Sequence, residues 1–399
     1  MTASSTQGPV ALVLAGGGAR GAYEAGALSV LLPVLEERGE RPRILIGTSV
    51  GALNVAFLAA NAHLSGDELI TEALGIWGSV RWSEVARHLI TGGSLLRLGG
   101  YAGEVLGLPG LRLESLLDPE PLRVTLRERI DFDQLEANVS GGRLDTAGVV
   151  ATSALTGRSV VFHHGLASPV ADHRRGIDYV ATQLTEEHVL ASAAIPVVFP
   201  AVRVPEPAAA RGWYFDGGTR LNTPIKPGLA FGAERVVVIA LNSLSPGPAE
   251  LAGEQRPDAL EGAGQILLGL LGDQLTADLR TLASINALAG APGQSSSAAT
   301  RQVPYIVIAP AERDAIGQCA LRVFHEHYGG PLQAIRSPDI ALLARLTAGG
   351  SDPQHAELLS FLLFASEFSK ALIELGREDA RRWIDQAHDL DELWQVGPI

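Results

Sequence analysis

The sequence predicts an α/β protein, a three-layer αβα sandwich with a mostly parallel central sheet and a mainly helical C-terminal extension. Two apolar runs support this prediction, at residues 10–15 and 43–47, and each breaks into glycines ahead of a helical segment. Strands that are apolar throughout and alternate with helices are typical of parallel sheets covered on both faces. We therefore expect both glycine turns at the carboxyl edge of the sheet, where such sheets bind ligands.

The other elements follow in chain order. The first helix has apolar residues at helical spacing, and Pro33 inside it should bend or split it. Thr156-Gly157 between two apolar runs predicts a hairpin turn. The expected strands are residues 10–15, 43–47, 147–153, 159–163, 213–215, 235–240 and 303–309. The expected helices are residues 21–38, 50–62, 186–194 and 265–288, with a helical hairpin region over 67–126 and a mainly helical stretch over 312–399.

Composition limits the classes of function. The chain has 399 residues, 46% of them apolar, so it can bury a large core. A single cysteine, Cys319, allows neither an intrachain disulfide nor a cysteine zinc site. The net charge of −13 argues against binding nucleic acid and against electrostatic docking on anionic lipid. With no membrane span and no basic leader at Met1–Gly8, we expect a cytoplasmic protein whose contact with lipid, if any, is apolar.

The first glycine turn is suited to binding an anion. Gly16, Gly17 and Gly18 follow a strand and open a helix, so their N–H groups are candidates for the oxyanion hole of an acyl-transfer enzyme. Arg20 lies at the same helix start, where a cation is unfavourable. We expect Arg20 to pair with a negative charge, either a substrate phosphate or a structural carboxylate.

The second glycine turn presents a serine. Gly47-Thr48-Ser49-Val50-Gly51 follows an apolar strand, and Gly47 and Gly51 permit a strained turn and close packing of strand against helix. Ser49 is therefore the candidate nucleophile. The alternative is a serine that only caps the following helix, which is a common role.

Asp216 is the candidate base. It ends an aromatic strand, residues 213–215, and precedes Gly217 and Gly218, which leave its carboxylate uncrowded. A partly desolvated carboxylate can accept the proton of a serine and return it to the leaving group. The alternative is an ordinary turn aspartate.

The histidines do not suggest a Ser-His-Asp triad. Those after Asp216 lie in expected helices rather than at strand ends, and His325 and His327 point to different helix faces, which disfavours a metal pair. His163 and His164 leave a strand and are expected to be solvated. No metal or organic cofactor is implied.

Three alternatives stay open at this stage. Residues 16–21 also satisfy the Gly-x-Gly-x-x-Gly pattern of dinucleotide sites, but the end of the second strand has no acidic residue for a ribose, so an NAD(P)-binding Rossmann module is a distant second. An α/β-hydrolase esterase would need more strands before its serine and a histidine after its acid. A non-catalytic lipid-binding scaffold is disfavoured because serine, acid and glycines are all present.

Together the motifs resemble the patatin-like phospholipase family. Gly16–Gly21, Gly47–Gly51 and Asp216–Gly218 follow the order of its three blocks, and Ala191–Pro200 is similar to a further block before the aspartate. The resemblance covers residues 9–245, the expected catalytic domain. It implies a lipid acyl hydrolase, a serine esterase of the phospholipase A type, that uses a Ser–Asp dyad without a histidine.

The resemblance also implies residue roles. Ser49 corresponds to the nucleophile, Asp216 to the base and Gly16–Gly18 to the oxyanion hole. The implied supporting residues are Arg20, Gly21, Gly47, Gly51, Gly217, Gly218 and Asn222. The implied partner is a lipid or acyl ester.

Two regions lie outside these motifs. Residues 246–302 are expected to be a linker or loop region rich in Pro, Gly and Ser with one helix, and residues 303–399 a strand and helices packed on the core. Leucines concentrate over Ser94–Leu117, which is either a lid or acyl-chain wall or ordinary core.

Overall fold

A computed structural model describes residues 8–86, 117–245 except 166 and 197, scattered residues of 279–289, and 302–328, 353–387 and 390–397. The expected linker with its helix therefore lies largely outside the described residues. The leucine-rich segment does too, apart from Leu117. The three-part division of the chain stays a prediction.

The described elements are numbered in chain order. The strands are β1 (Val10–Leu14), β2 (Ile44–Thr48), β3 (Thr146–Ser153), β4 (Ser159–Gly165), β5 (Ile177–Ala181), β6 (Val202–Val204), β7 (Gly212–Asp216), β8 (Arg235–Ile239) and β9 (Tyr305–Ile308). The helices are α1 (Gly21–Glu37), α2 (Val50–Ala60), α3 (Gly66–Ser79), α4 (Trp82–Val85), α5 (Glu120–Arg129), α6 (Phe132–Ser140), α7 (Glu186–Ser192), α8 (Ile225–Ala230), α9 (Ala315–His327), α10 (Pro353–Leu362) and α11 (Ser366–Gln386).

The strands form one sheet in the order β5-β4-β3-β2-β1-β8-β9. The pairs from β3 through β2, β1 and β8 to β9 are all parallel, while β4 is antiparallel to β3. Beyond the end of β2, β7 takes its place beside β3 in the antiparallel sense, and β6 pairs with β7. The last residue of β7 therefore lies close to the end of β2.

Apolar cores lie on both faces of this sheet. One contains α1, α2 and α11, and the other contains the residues around α8. The central strands β1 and β2 are buried along their whole length, because helices cover both of their faces. The expected α/β class with a mostly parallel central sheet is confirmed.

The C-terminal region packs on this core. Strand β9 joins the central sheet, and α11 lies against α1 where two glycines let the backbones approach. A Cβ at Gly26 would lie 2.2 Å from the carbonyl oxygen of Ile373, and one at Gly376 would lie 2.2 Å from that of Tyr23. Pro33 does not split α1, which runs continuously from residue 21 to 37.

The expectation that His163 is solvated is wrong. Strand β4 continues to Gly165, so strand alternation turns His163 inward, where it is fully buried with its ring 4.8 Å from that of Phe231. Burial lowers the pKa of His163 to about 4. This histidine is neutral at ordinary pH and belongs to the core.

Candidate active site

Ser49 sits on a strained turn between β2 and α2. Its backbone has φ 54° and ψ −121°, and no other non-glycine residue in the described part of the chain has a positive φ. A non-glycine residue in such a conformation is costly and is held only by its surroundings. Its side chain makes no capping bond to α2, so the alternative of a simple capping serine fails.

Two glycines make room for this turn. A Cβ at Gly47 would lie 2.2 Å from the carbonyl oxygen of Gly51, and a Cβ at Gly51 would lie 2.4 Å from the carbonyl oxygen of Leu14 at the end of β1. Any larger residue would therefore push α2 away from the strands. These close contacts explain why glycine stands on both sides of Ser49.

Ser192 holds the backbone of the turn. The Ser49 amide donates to Ser192 Oγ at 2.9 Å, and the Ser192 hydroxyl donates to the carbonyl oxygen of Val150 at 2.5 Å. All three groups are buried. No local pattern predicted this role of Ser192, although it lies in Ala191–Pro200, the segment that resembles a family block.

Asp216 is brought to the same place by β7. Its amide donates to the carbonyl oxygen of Ala194, two residues past Ser192, and its carbonyl oxygen accepts from the hydroxyls of Thr152 and Thr219. Its Oδ1 accepts from the Gly218 amide at 2.6 Å. Among the described residues nothing hydrogen-bonds to its buried Oδ2.

Burial raises the pKa of Asp216 to about 7, and the nearby Ser49 hydroxyl and the hydrogen-bonded Gly218 amide oppose this rise. The contact with Ser49 falls outside ordinary hydrogen-bond geometry, since Oδ2 has no such partner in the described part. Catalytic pairs are frequently long or poorly aligned without substrate. A carboxyl with this pKa exchanges its proton readily near neutral pH, as a general base must.

The loop of Gly16, Gly17 and Gly18 lies beside Ser49. A Cβ at Gly16 would lie 3.0 Å from Ser49 Cβ and 2.4 Å from Asn222 Oδ1. The backbone of Asn222 accepts from the Gly16 amide at 3.1 Å, and its side-chain amide donates to the Gly16 carbonyl at 3.2 Å.

These bonds show which amides of the glycine loop are already engaged. The Gly16 amide already donates to the Asn222 carbonyl oxygen, so it is not a free donor. The amides of Gly17 and Gly18 have no hydrogen-bond acceptor in the described part of the chain, and Gly18 faces the cavity beside Ser49.

Arg20 does not face Ser49. It is fully buried, donates to Glu357 Oε2 at 2.5 Å and to Ser360 Oγ at 2.8 Å, and lies 3.8 Å from the centre of the Phe361 ring. Of the two partners expected for Arg20, the structural carboxylate is therefore the one present. Arg20 fastens helix α10 to the glycine loop.

An apolar cavity opens at Ser49. It has an empty volume of about 930 Å³, which includes the open space at its mouth. Its walls come from α2, α3, α5 and the segment after α7, and almost all of the lining atoms are apolar. The lining includes Ser49, Leu53, Phe57, Ala73, Ile76, Trp77, Leu122, Leu126, Ile130, Ile195, Phe199 and Phe364.

A model of the patatin-like phospholipase family matches residues 12–229, more than half of the chain. The chain belongs to this family. The crystal structure of VipD from Legionella pneumophila is similar at 15% sequence identity and a TM-score of 0.33, over 76% of this chain. The match covers 61% of the VipD chain, so this patatin-like chain spans less than two thirds of it. No curated protein matches the chain.

The patatin-like blocks therefore meet in space. The structure brings Asp216 and the glycine loop of residues 16–18 against Ser49, and Ser49 and Gly18 line the cavity. It also brings Asn222 against that loop. Gly217 sits where a Cβ would lie 2.2 Å from the Val150 carbonyl oxygen, which brings β7 close to β3.

No group of three or more acidic, histidine or cysteine side chains in the described residues could hold a metal. None of the described helices is both long and apolar enough to cross a membrane.

Proposed function

We propose that this patatin-like protein hydrolyses carboxylic esters of lipids through a serine acyl-enzyme. Ser49 is the nucleophile, Asp216 the base, and the amides of Gly17 and Gly18 the oxyanion hole. The observation that carries the proposal is the strained Ser49 turn, which lies beside a buried carboxyl and lines an apolar cavity.

The reaction proceeds in two halves. The Ser49 oxygen attacks the ester carbonyl carbon while its proton passes to Asp216, and the carbonyl oxygen becomes an anion. Preorganised amides stabilise such an anion, each by about 3 kcal/mol. The intermediate then expels the alcohol, which takes the proton from Asp216. Water repeats the sequence on the acyl-enzyme and releases the fatty acid.

The cavity supports a lipid substrate. Its walls offer an acyl chain almost only apolar atoms, and burial of each CH₂ group contributes about 0.8 kcal/mol. The same walls disfavour a dinucleotide, whose pyrophosphate and ribose groups need polar partners. A non-catalytic scaffold would have no need of a strained serine next to a carboxyl whose pKa is near 7.

The first experiment is labelling with a fluorophosphonate probe together with turnover of a soluble short-chain ester. The wild-type protein should label and turn over, and Ser49→Ala should lose both, with a fall in kcat of about a thousandfold or more. A folded Ser49→Ala protein that retains turnover would overturn the proposal. Each histidine after Asp216 is replaced in turn to separate a dyad from a triad.

The acyl cavity has its own test. Ala73 on α3 lines the cavity, so Ala73→Phe should fill part of it, whereas the exposed Glu72 on the same helix provides the control Glu72→Phe. We expect Ala73→Phe to lower turnover of long-chain esters and to spare short-chain esters. Equal losses on both substrates would contradict the assignment of this cavity to the acyl chain.

A further inference from the structure

Two exposed apolar side chains lie on neighbouring segments beyond the active-site edge of the sheet. Leu155, in the turn between β3 and β4, is 93% exposed, and Trp213 on β7 is 56% exposed. The Ala154 amide donates to the Trp213 carbonyl at 2.9 Å, so the two segments are joined side by side. We call residues 153–158 and 203–213 the rim.

Chain direction places the rim on the same side as the active site. Strand β3 is parallel to β2 and ends at the edge where Ser49 begins, and β7 runs back from the rim to Asp216. Trp213 precedes Asp216 by three residues, which at the rise of a strand puts it about 10 Å further out. Phe199 lines the cavity and β6 starts three residues after it, so the rim continues the cavity wall.

Most exposed charged side chains in and beside the rim are arginines, while Arg158 within the rim is paired with Asp178. Arg203 is the cross-strand partner of Trp213 and is exposed, and Arg211 lies two residues before it. Arg211 meets Glu206 at 3.6 Å with both side chains more than half exposed, a pair that contributes little. Arg220, four residues after Asp216, is exposed as well.

A tryptophan and a leucine among arginines are suited to the headgroup layer of a bilayer. Tryptophan prefers this layer because its ring is apolar and its N–H is polar, and arginine binds lipid phosphates. The net charge of −13 does not prevent this contact. At physiological salt, electrostatic interactions are screened over about 8 Å, so acidic residues far from the rim have little effect there. The local charge of the rim therefore determines its attraction to the lipid.

We propose that the rim docks this protein on an anionic lipid surface. Leu155 and Trp213 enter the headgroup layer, and Arg203, Arg211 and Arg220 contact phosphates. Docking there puts the lipid surface at the same edge of the sheet as Ser49. The purpose of docking rests on the proposed ester hydrolysis, but the docking itself does not.

The test measures binding and catalysis separately. Binding is followed by co-sedimentation of the Ser49→Ala protein with phosphatidylcholine vesicles, with and without phosphatidylglycerol. In the Ser49→Ala protein, the double change Leu155→Ser/Trp213→Ser should weaken binding to the anionic vesicles by at least about tenfold. The single change Arg203→Gln in the same protein should weaken it by about fivefold. The control is Val396→Ser, an exposed apolar residue beside the first residue of β9, at the opposite edge of the sheet.

Three results of the binding assay would overturn the docking proposal. They are failure of Ser49→Ala to bind anionic vesicles, equal binding with and without phosphatidylglycerol, and binding that survives the double change. So would a dimer in solution that the double change dissociates, since the rim would then bind a second copy. Catalytically active Leu155→Ser/Trp213→Ser protein should keep wild-type turnover of a soluble ester. If the wild-type protein does not turn over the soluble ester, the proposed function is refuted instead.

Discussion

Replacing Asp216 by asparagine should remove both the base and a pH-dependent loss of stability. The side chain is fully buried, and burial raises its pKa to about 7 from an ordinary 3.8. Between these two values the folded protein holds a proton that the unfolded chain has released. The stabilising contribution is therefore complete below 3.8, falls as the pH rises, and is lost above about 7.

The magnitude follows from the same shift. At about 1.36 kcal/mol per pH unit, the carboxyl should cost the wild type about 3 kcal/mol of unfolding free energy between pH 5 and pH 8. Asp216→Asn keeps the shape and an oxygen for the Gly218 amide but has no such titration. We expect the unfolding free energy of the variant minus that of the wild type to increase by this amount over the same interval.

Urea unfolding followed by tryptophan fluorescence at pH 5 and pH 8 measures this difference. Activity gives a second measurement. The kcat/KM of the wild type on a soluble ester should rise with pH through about 7, where Asp216 of the free enzyme loses its proton. The variant should be inactive across the range. If the two proteins show parallel stability profiles, Asp216 is not a buried carboxyl with a raised pKa.

Three further changes test the surroundings of the site. Ser192→Ala leaves the buried amide of Ser49 without its acceptor, so we expect a loss of about 1–3 kcal/mol in stability and a lower kcat at unchanged KM. Gly16→Ala places a methyl 2.4 Å from an asparagine oxygen, and the displaced loop should reduce kcat about a hundredfold without preventing folding. Glu357→Ala leaves the buried Arg20 without its carboxylate partner, which should lower the free energy of unfolding by about 3–5 kcal/mol and lower the melting temperature. An unchanged melting temperature would contradict the ion pair.

Local patterns predicted the central elements well. The run at residues 10–15 became β1 at Val10–Leu14, and the run at 43–47 became β2 at Ile44–Thr48. Strands β5 and β6 were not predicted, because they are short, with five and three residues, and neither contains a continuous run of buried apolar residues. Each pairs with a strand adjacent to it in the chain, β5 with β4 and β6 with β7.

The glycine turns by themselves indicated a nucleophile and an anion site. Which amides are free was not readable from spacing, since the Gly16 amide is taken by Asn222, 206 residues later. The open choice for Arg20 was likewise decided by Glu357 on a helix near the C-terminus. Ser192 was missed because a single serine in a short helix has no distinctive local pattern.

The sequence by itself determined the fold class, the family and the order of the serine, acid and glycine segments. These follow from residue type and short-range spacing, because glycine, apolar runs and turn residues restrict the backbone locally. Only the tertiary structure decided that Ser49 is strained and held by Ser192, that burial raises the pKa of Asp216, and that Leu155 and Trp213 protrude at the same edge. Each of these depends on which distant segments become neighbours and how much water they exclude, and this is fixed when the sheet assembles.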